Sequence, residues 1–320
     1  MPPHQVFAWL YQSWIGFAAG LLGTAEVFTS PVSTAATPPI KTRSAAISQL
    51  GLAFIPGPLP TYYSYGTQSR AHQLQTLLGG ELSYYSILFS QRLPPISLAV
   101  LTTEDWHDVD PEDPYGMPSV SDQAPFVFVM PNDWSKVTWM TLPARDRVPQ
   151  GLLRRALANG RTWRQVQFEG CDGIGTHEIG HVIVRALGID PQTGWFNELL
   201  ASYVGYAYLR KKFPLQALSS EIFWRQGLAA PHHFSRLEDF DSHYDELMQH
   251  DPANYGWYQV AFDQRVIDVY REQGIGFLRT VRLAFPQGGP RLTTPEIVDR
   301  LDGLAVGWKA WAASFTSSTH

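Results

Sequence analysis

The chain has 320 residues, of which 44% are hydrophobic and 17% charged, and its net charge is −5. That composition excludes a disordered chain and provides for one large core or two modest ones. Without a run of five Lys/Arg residues, a nucleic-acid role has no electrostatic footprint. The single cysteine, Cys171, excludes an internal disulfide and reads as a small buried residue.

In chain order, residues 6–23 carry no charge. Their length suits the apolar region of a signal peptide or a short membrane anchor, assigned here to 1–28. The leader lacks Lys and Arg, so a buried amphipathic helix is the competing reading. Residues 29–44 are rich in Pro, Ser, Thr and Ala and read as a tether. Together these segments imply an extracytoplasmic, secreted or membrane-anchored protein, with membrane contact through 6–23.

The folded part is expected over 45–315. Leu74, Leu77, Leu78, Leu82, Tyr85 and Leu88 fall at helical spacing and predict a helix over 68–90. Residues 95–101 and 124–131 read as strands, separated by a polar loop at 103–123. Residues 147–166 look helical, and Asp172 is a candidate cap for a helix over 173–187 that ends at Gly188. Further helices are expected over 195–212, from Asp251-Pro252 to Gly274, and over 295–314. Strands early and helices late give an α+β class. The division is a strand-containing lobe at 45–190 and a helical lobe at 191–315, with a cleft between them.

Residues 177–181 read His-Glu-Ile-Gly-His. On a helix, positions four apart leave the same face about 6 Å apart, so His177 and His181 can reach one zinc ion. Glu178 lies about 100° round, placed to act on water at the metal. A catalytic zinc also needs a third protein ligand and an open position. Position 187, six after His181, is Leu, which removes a third histidine there. Glu198 lies 17 residues past His181, beyond a Gly/Pro loop suited to reversing the chain. An antiparallel helix pair would return it to the metal. The bland readings are two core histidines and an exposed Glu near a helix start. Two buried imidazoles without partners would cost about 1–3 kcal/mol each, which favours ligation.

His-Glu-Ile-Gly-His followed by Asn-Glu-Leu-Leu-Ala resembles the gluzincin clan of zinc metallopeptidases, which includes thermolysin-like and aminopeptidase-N-like enzymes. The resemblance is firm over 172–209, looser over 251–277, and only a match of element order over 45–170. It implies a zincin-like fold and peptide-bond hydrolysis of a peptide or protein substrate. It implies that Glu178 polarises water, that Glu198 completes the zinc site, and that the strand before the helix pair binds substrate backbone. Residues 124–131 are the candidate for that edge strand. It also implies a Tyr or His oxyanion donor, a Tyr falling about 15 residues before a helix-ending Gly. Tyr258 lies 16 residues before Gly274 and Tyr255 lies 19, and Tyr258 is preferred. His243 and His250 are outside candidates, and His232-His233 reads as a solvated pair. Trp195 and Trp257 flank the site, as cleft walls or as plain packing.

Two departures stand out. Thermolysin-like members carry Asp four residues after the ligand Glu. Here that residue is Ser202, so support for the zinc imidazole is expected from elsewhere. The Gly-x-Met-Glu-Asn stretch of aminopeptidase-N-like members is missing, which favours endo- or oligopeptidase action. Two other readings compete. One is a non-catalytic zincin-like binding or anchoring module. The other is a structural zinc site with Cys171 as fourth ligand.

Overall fold

The computed structural model describes residues 42–121, 124–225 and 232–315. Residues 6–23 and nearly all of the expected tether lie outside them. The tether gives way to structure earlier than expected. Thr42 caps a helix, α1 (Arg43–Leu50), by accepting from the Ala45 N–H.

A five-stranded mixed sheet comes entirely from residues 53–131. Its strands are β1 (Ala53–Ile55), β2 (Thr61–Tyr63), β3 (Ile96–Leu101), β4 (Ser119–Val120) and β5 (Phe126–Pro131), in the spatial order β1-β2-β3-β5-β4. β2, β3 and β5 run parallel, with Leu98 opposite Phe128 and Val100 opposite Met130. β1 and β4 are antiparallel edges. The two parallel connections are made by α2 (Gln68–Phe89) and by α3 (Thr103–Val109) with the segment after it.

The strand pleat sorts alternate residues to two cores. Leu98, Val100, Phe128 and Met130 face the main core, with Leu74, Leu78 and Ile179. Ala99, Leu101, Val127 and Val129 face a smaller one, with Ala46, Ile47 and Trp106. β5 is therefore covered on both faces and paired on both sides, so 124–131 is not the edge strand. Its unbroken apolar run is the mark of a central strand. The edge belongs to the two-residue β4, inside the stretch expected to be a polar loop.

After residue 149 every long element among the described residues is helical. α4 (Gln150–Ala156) leads into α5 (Trp163–Ala186), then α6 (Gly194–Lys212), α7 (Pro214–Trp224), α8 (Leu237–Ser242) and α9 (Tyr244–Gln249). α10 (Pro252–Gln273), α11 (Gly276–Ala284), α12 (Thr294–Asp302) and α13 (Trp308–Ala312) complete the chain. The protein is thus mixed α and β, mainly helical, with strands early and helices late. The main core runs unbroken from Ile55 to Phe315, so both expected lobes share it.

Two expected boundaries move. The helix bearing the His-Glu-Ile-Gly-His run starts at Trp163, where Thr162 and Gln165 form a capping box. Asp172 is no cap. It lies inside the helix, buried, and accepts from Arg70 and from Trp134 Nε1 (2.7 Å). Gly170, Gly173 and Gly175 do not break the helix either. A Cβ on Gly170 would lie 2.8 Å from the Ser219 carbonyl oxygen, and one on Gly175 would lie 2.9 Å from Met130 Cε. These glycines seat α5 against α7 and under the sheet. The final helix expected over 295–314 is two helices, divided at Gly303–Gly307, where Gly307 takes φ 98°.

Candidate metal centre

The helix pair α5–α6 sets the site. A Cβ on Gly180 would overlap the Ala201 carbonyl oxygen, and one on Gly205 would come within 2.7 Å of Thr176 Oγ1. Backbone meets backbone on both sides of the contact. Glu198, one turn before Ala201–Ser202, is thereby set opposite His177 and His181.

The ligand atoms of His177, His181 and Glu198 lie within 4.8 Å of one another. His177 Nε2 is 3.1 Å from Glu198 Oε2 and 3.1 Å from His181 Nε2, and His181 Nε2 is 3.6 Å from Glu198 Oε1. A tetrahedral ion with bonds of about 2.0–2.1 Å has ligand–ligand edges of about 3.3 Å. Two of the three distances lie near that edge and the third, measured to the other carboxylate oxygen, is longer, so the group is of a size that could hold one metal ion. The side chains of His177 and His181 keep 15% and 22% exposure, so solvent reaches the group. Cys171 takes no part. It is fully buried, and burial pushes its thiol well above the usual range. The structural-zinc reading loses its fourth ligand.

Electrostatics of the group favour a proton on one imidazole, in the place a bound cation would take. For His177, burial opposes the imidazolium, but the hydrogen bond and charge of Glu198 outweigh it and lift the pKa to about 9. Burial pushes His181 down to about 4. Burial also opposes ionisation of Glu198, yet the charge of His181 and the hydrogen bonds from His177 and Gln259 hold it at about 2. Glu178 is pushed up to about 7 by burial, against the charge of His177 and with that of Glu198. A carboxyl group near neutrality beside a ligand triangle suits proton transfer at pH 7.

Ser202 corrects one expectation. Its Oγ is 2.9 Å from His177 Nδ1, so support for this imidazole comes from position 202 itself. The preference between the tyrosines also reverses. Tyr258 is fully buried and its hydroxyl donates to the Arg236 carbonyl at 2.6 Å, among Phe240, Phe262 and Phe315. It faces the core. Tyr255, three residues earlier and so about 60° round the helix, reaches the site. Gln259 Nε2 donates to its hydroxyl at 2.8 Å and to Glu198 Oε2 at 2.9 Å. Burial, with the charges of Glu198 and Glu178, keeps the Tyr255 phenol protonated far above neutral pH. Tyr244 is bonded to Tyr255 and feels the same two charges.

Gln259 and Tyr244 have no counterpart in the sequence reading. Gln259 was legible as i+4 of Tyr255; Tyr244, two short helices away, was not. The other histidines are occupied elsewhere. His243 stacks on Phe234 and His232 on Trp257, each at 4.1 Å, and His233 pairs with Asp251. His250 is no member of the ligand group. Trp195 is a core residue whose Nε1 donates to Thr294.

β4 reaches α5 from the sheet edge. Arg43 pins it, donating to the Ser119 carbonyl (3.0 Å) and Oγ (2.7 Å) while paired with Asp110 (2.7 Å). Asp113, behind this cluster, is pushed up to about 7 by burial and by Asp110. Comparison with family models, curated proteins and solved structures yields no match for the chain. No helix among the described residues is long and apolar enough to cross a membrane.

Proposed function

We propose that the chain is a zinc metallopeptidase of gluzincin type with a zincin-like fold. The observation that carries the reading is the ligand triangle of His177, His181 and Glu198, with Glu178 on the next position of the same helix. Two imidazoles, one carboxylate and an open corner form a donor set that suits catalytic zinc. Bound there, zinc supplies Lewis acidity, acidifying water and polarising a carbonyl.

The chain's own groups do the rest. The Glu178 carboxylate takes the proton of the attacking water and returns it to the leaving amide nitrogen. The Tyr255 hydroxyl, held by Gln259, donates to the oxyanion that develops on the scissile carbonyl oxygen. The substrate backbone lies along β4, whose outer edge has no strand beside it among the described residues. Residues 1–28, as signal or anchor, place the domain outside the cytoplasm.

The test is a peptide-library digest with purified protein, with and without a chelator. Cleavage that stops on chelation, returns with zinc and is missing from Glu178→Gln supports the proposal. Cleavage retained by Glu178→Gln contradicts the role of that residue. A protein that binds zinc but cleaves nothing supports the binding-module reading instead.

A further inference from the structure

Behind the ligand triangle lies a buried carboxylate that the proposed cycle leaves without a task. Asp263 sits on α10, where that helix packs on α6, and is 4% exposed. The Ser202 side chain is its neighbour, close enough for its hydroxyl to favour the ionised carboxylate. Its Oδ1 has no partner among the described residues. The same serine hydroxyl lies 2.9 Å from His177 Nδ1. Imidazole, hydroxyl and carboxylate thus neighbour one another in turn, from the ligand group towards the core.

We propose that Asp263, acting through Ser202, is the positioning carboxylate of the metal ligand His177. The direction of each hydrogen bond follows from proton counting. An imidazole that gives Nε2 to a metal carries its proton on Nδ1. That proton is donated to Ser202 Oγ. Serine has a single proton of its own, and Asp263 is the acceptor in line for it. An ionised Asp263 therefore fixes the tautomer and ring plane of His177, raises its basicity as a ligand, and balances part of the cation's charge. Glu198 is four residues before Ser202 on α6, and Asp263 is four residues past Gln259 on α10. One face of α10 thus supports both ligands that meet at Glu198 Oε2, through Gln259 to Glu198 and through Asp263 to His177.

The inference rests on the metal-site reading, and its test separates the two. Zinc affinity of the full chain is measured by competition with a chromogenic chelator for wild type, Ser202→Ala, Asp263→Asn and the double variant. Thermal stability of each metal-free protein is recorded alongside. Asp263→Asn and Ser202→Ala are each expected to weaken zinc binding about 10- to 100-fold. The double variant is expected to be no weaker than the weaker single one, because Asp263 acts only through Ser202. Losses that multiply, or an Asp263→Asn protein within twofold of wild type, overturn the proposal and leave the metal site standing. A wild type that binds no zinc overturns both. If the variants do not fold, 13C spectra of the zinc-loaded wild type at pH 7.5 decide. An ionised Asp263 carboxylate is expected, and a protonated one overturns the relay.

Discussion

Along the α5–α6 contact, main chain meets main chain: Gly180 lies against the Ala201 carbonyl and Gly205 against Thr176. Along α10, side chain meets side chain: Tyr255 is held by Gln259 and Tyr244, with Phe240 stacked at 5.8 Å from its ring. The first region fixes His177, His181 and Glu198 relative to one another, and the second presents the Tyr255 phenol. The difference has a physical consequence. A ligand set by backbone contact has no rotamer with which to absorb a change, because the interior is close-packed and the neighbour is a carbonyl. A phenol set by hydrogen bonds and ring packing can lose one partner and keep its place.

The sharpest probe of the division is Glu178→Gln, which leaves the ligand triangle alone. Turnover is expected to fall about 10²–10⁴-fold with zinc content unchanged, read by steady-state kinetics and metal analysis on one preparation. Next comes the tyrosine pair. Tyr255→Phe should lower turnover about 10²–10³-fold at nearly unchanged stability. Tyr258→Phe should leave turnover alone and cost about 0.5–1.5 kcal/mol of stability, because the part-buried bond to the Arg236 carbonyl is lost. Equal kinetic losses in the two variants would break the assignment of α10's faces.

Gly180→Ala tests the backbone-set region. Overpacking costs about 1–3 kcal/mol, and here it pushes α6 away, so zinc affinity should fall with stability. A variant with wild-type affinity would show that α6 has slack.

The smallest effect is one of pH. Burial raises Asp263 to about 7 in the metal-free protein, against the Ser202 hydrogen bond and the charge of His177, and its ordinary value is near 3.8. An acid raised on folding contributes stability that is complete below about pH 3.8 and is lost as pH rises through about 7. Stability measured by urea unfolding of the metal-free protein should therefore fall more between pH 4 and 7 for wild type than for Asp263→Asn. Identical slopes would contradict the buried state of this carboxyl group.

What the sequence disclosed follows the same division. His177, Glu178 and His181 are read from helical spacing, and Glu198 from a Gly/Pro loop suited to reversing the chain. α10 is bounded by signals in the chain, Asp251-Pro252 at its start and Gly274 at its end. Its rotation is not, because Arg236 and Phe240, which draw Tyr258 inward, come from another element. A partial signal was present: Tyr258, Phe262 and Val269 lie on a buried stripe, while Tyr255 and Gln259 share the adjoining face. The start of α5 was misplaced at Asp172 for a related reason. Locally Asp172 reads as a cap, and only its burial against Arg70 and Trp134, with the close approach of Ser219 and Met130 to Gly170 and Gly175, shows that the helix runs through. β4 was hidden by its length, two residues inside a Pro- and Asp-rich stretch, and β5 took its place because an apolar run does not say which side lacks a neighbour.

The central claim is that three side chains of α5 and α6 hold one zinc ion. X-ray absorption at the zinc edge, on protein reconstituted to one equivalent, tests it most directly. The account predicts four nitrogen or oxygen neighbours at about 2.0–2.1 Å, two of them imidazoles, with zinc lost from His181→Ala and from Glu198→Ala. Sulfur in the coordination shell, or a full equivalent of zinc retained by both variants, would contradict it.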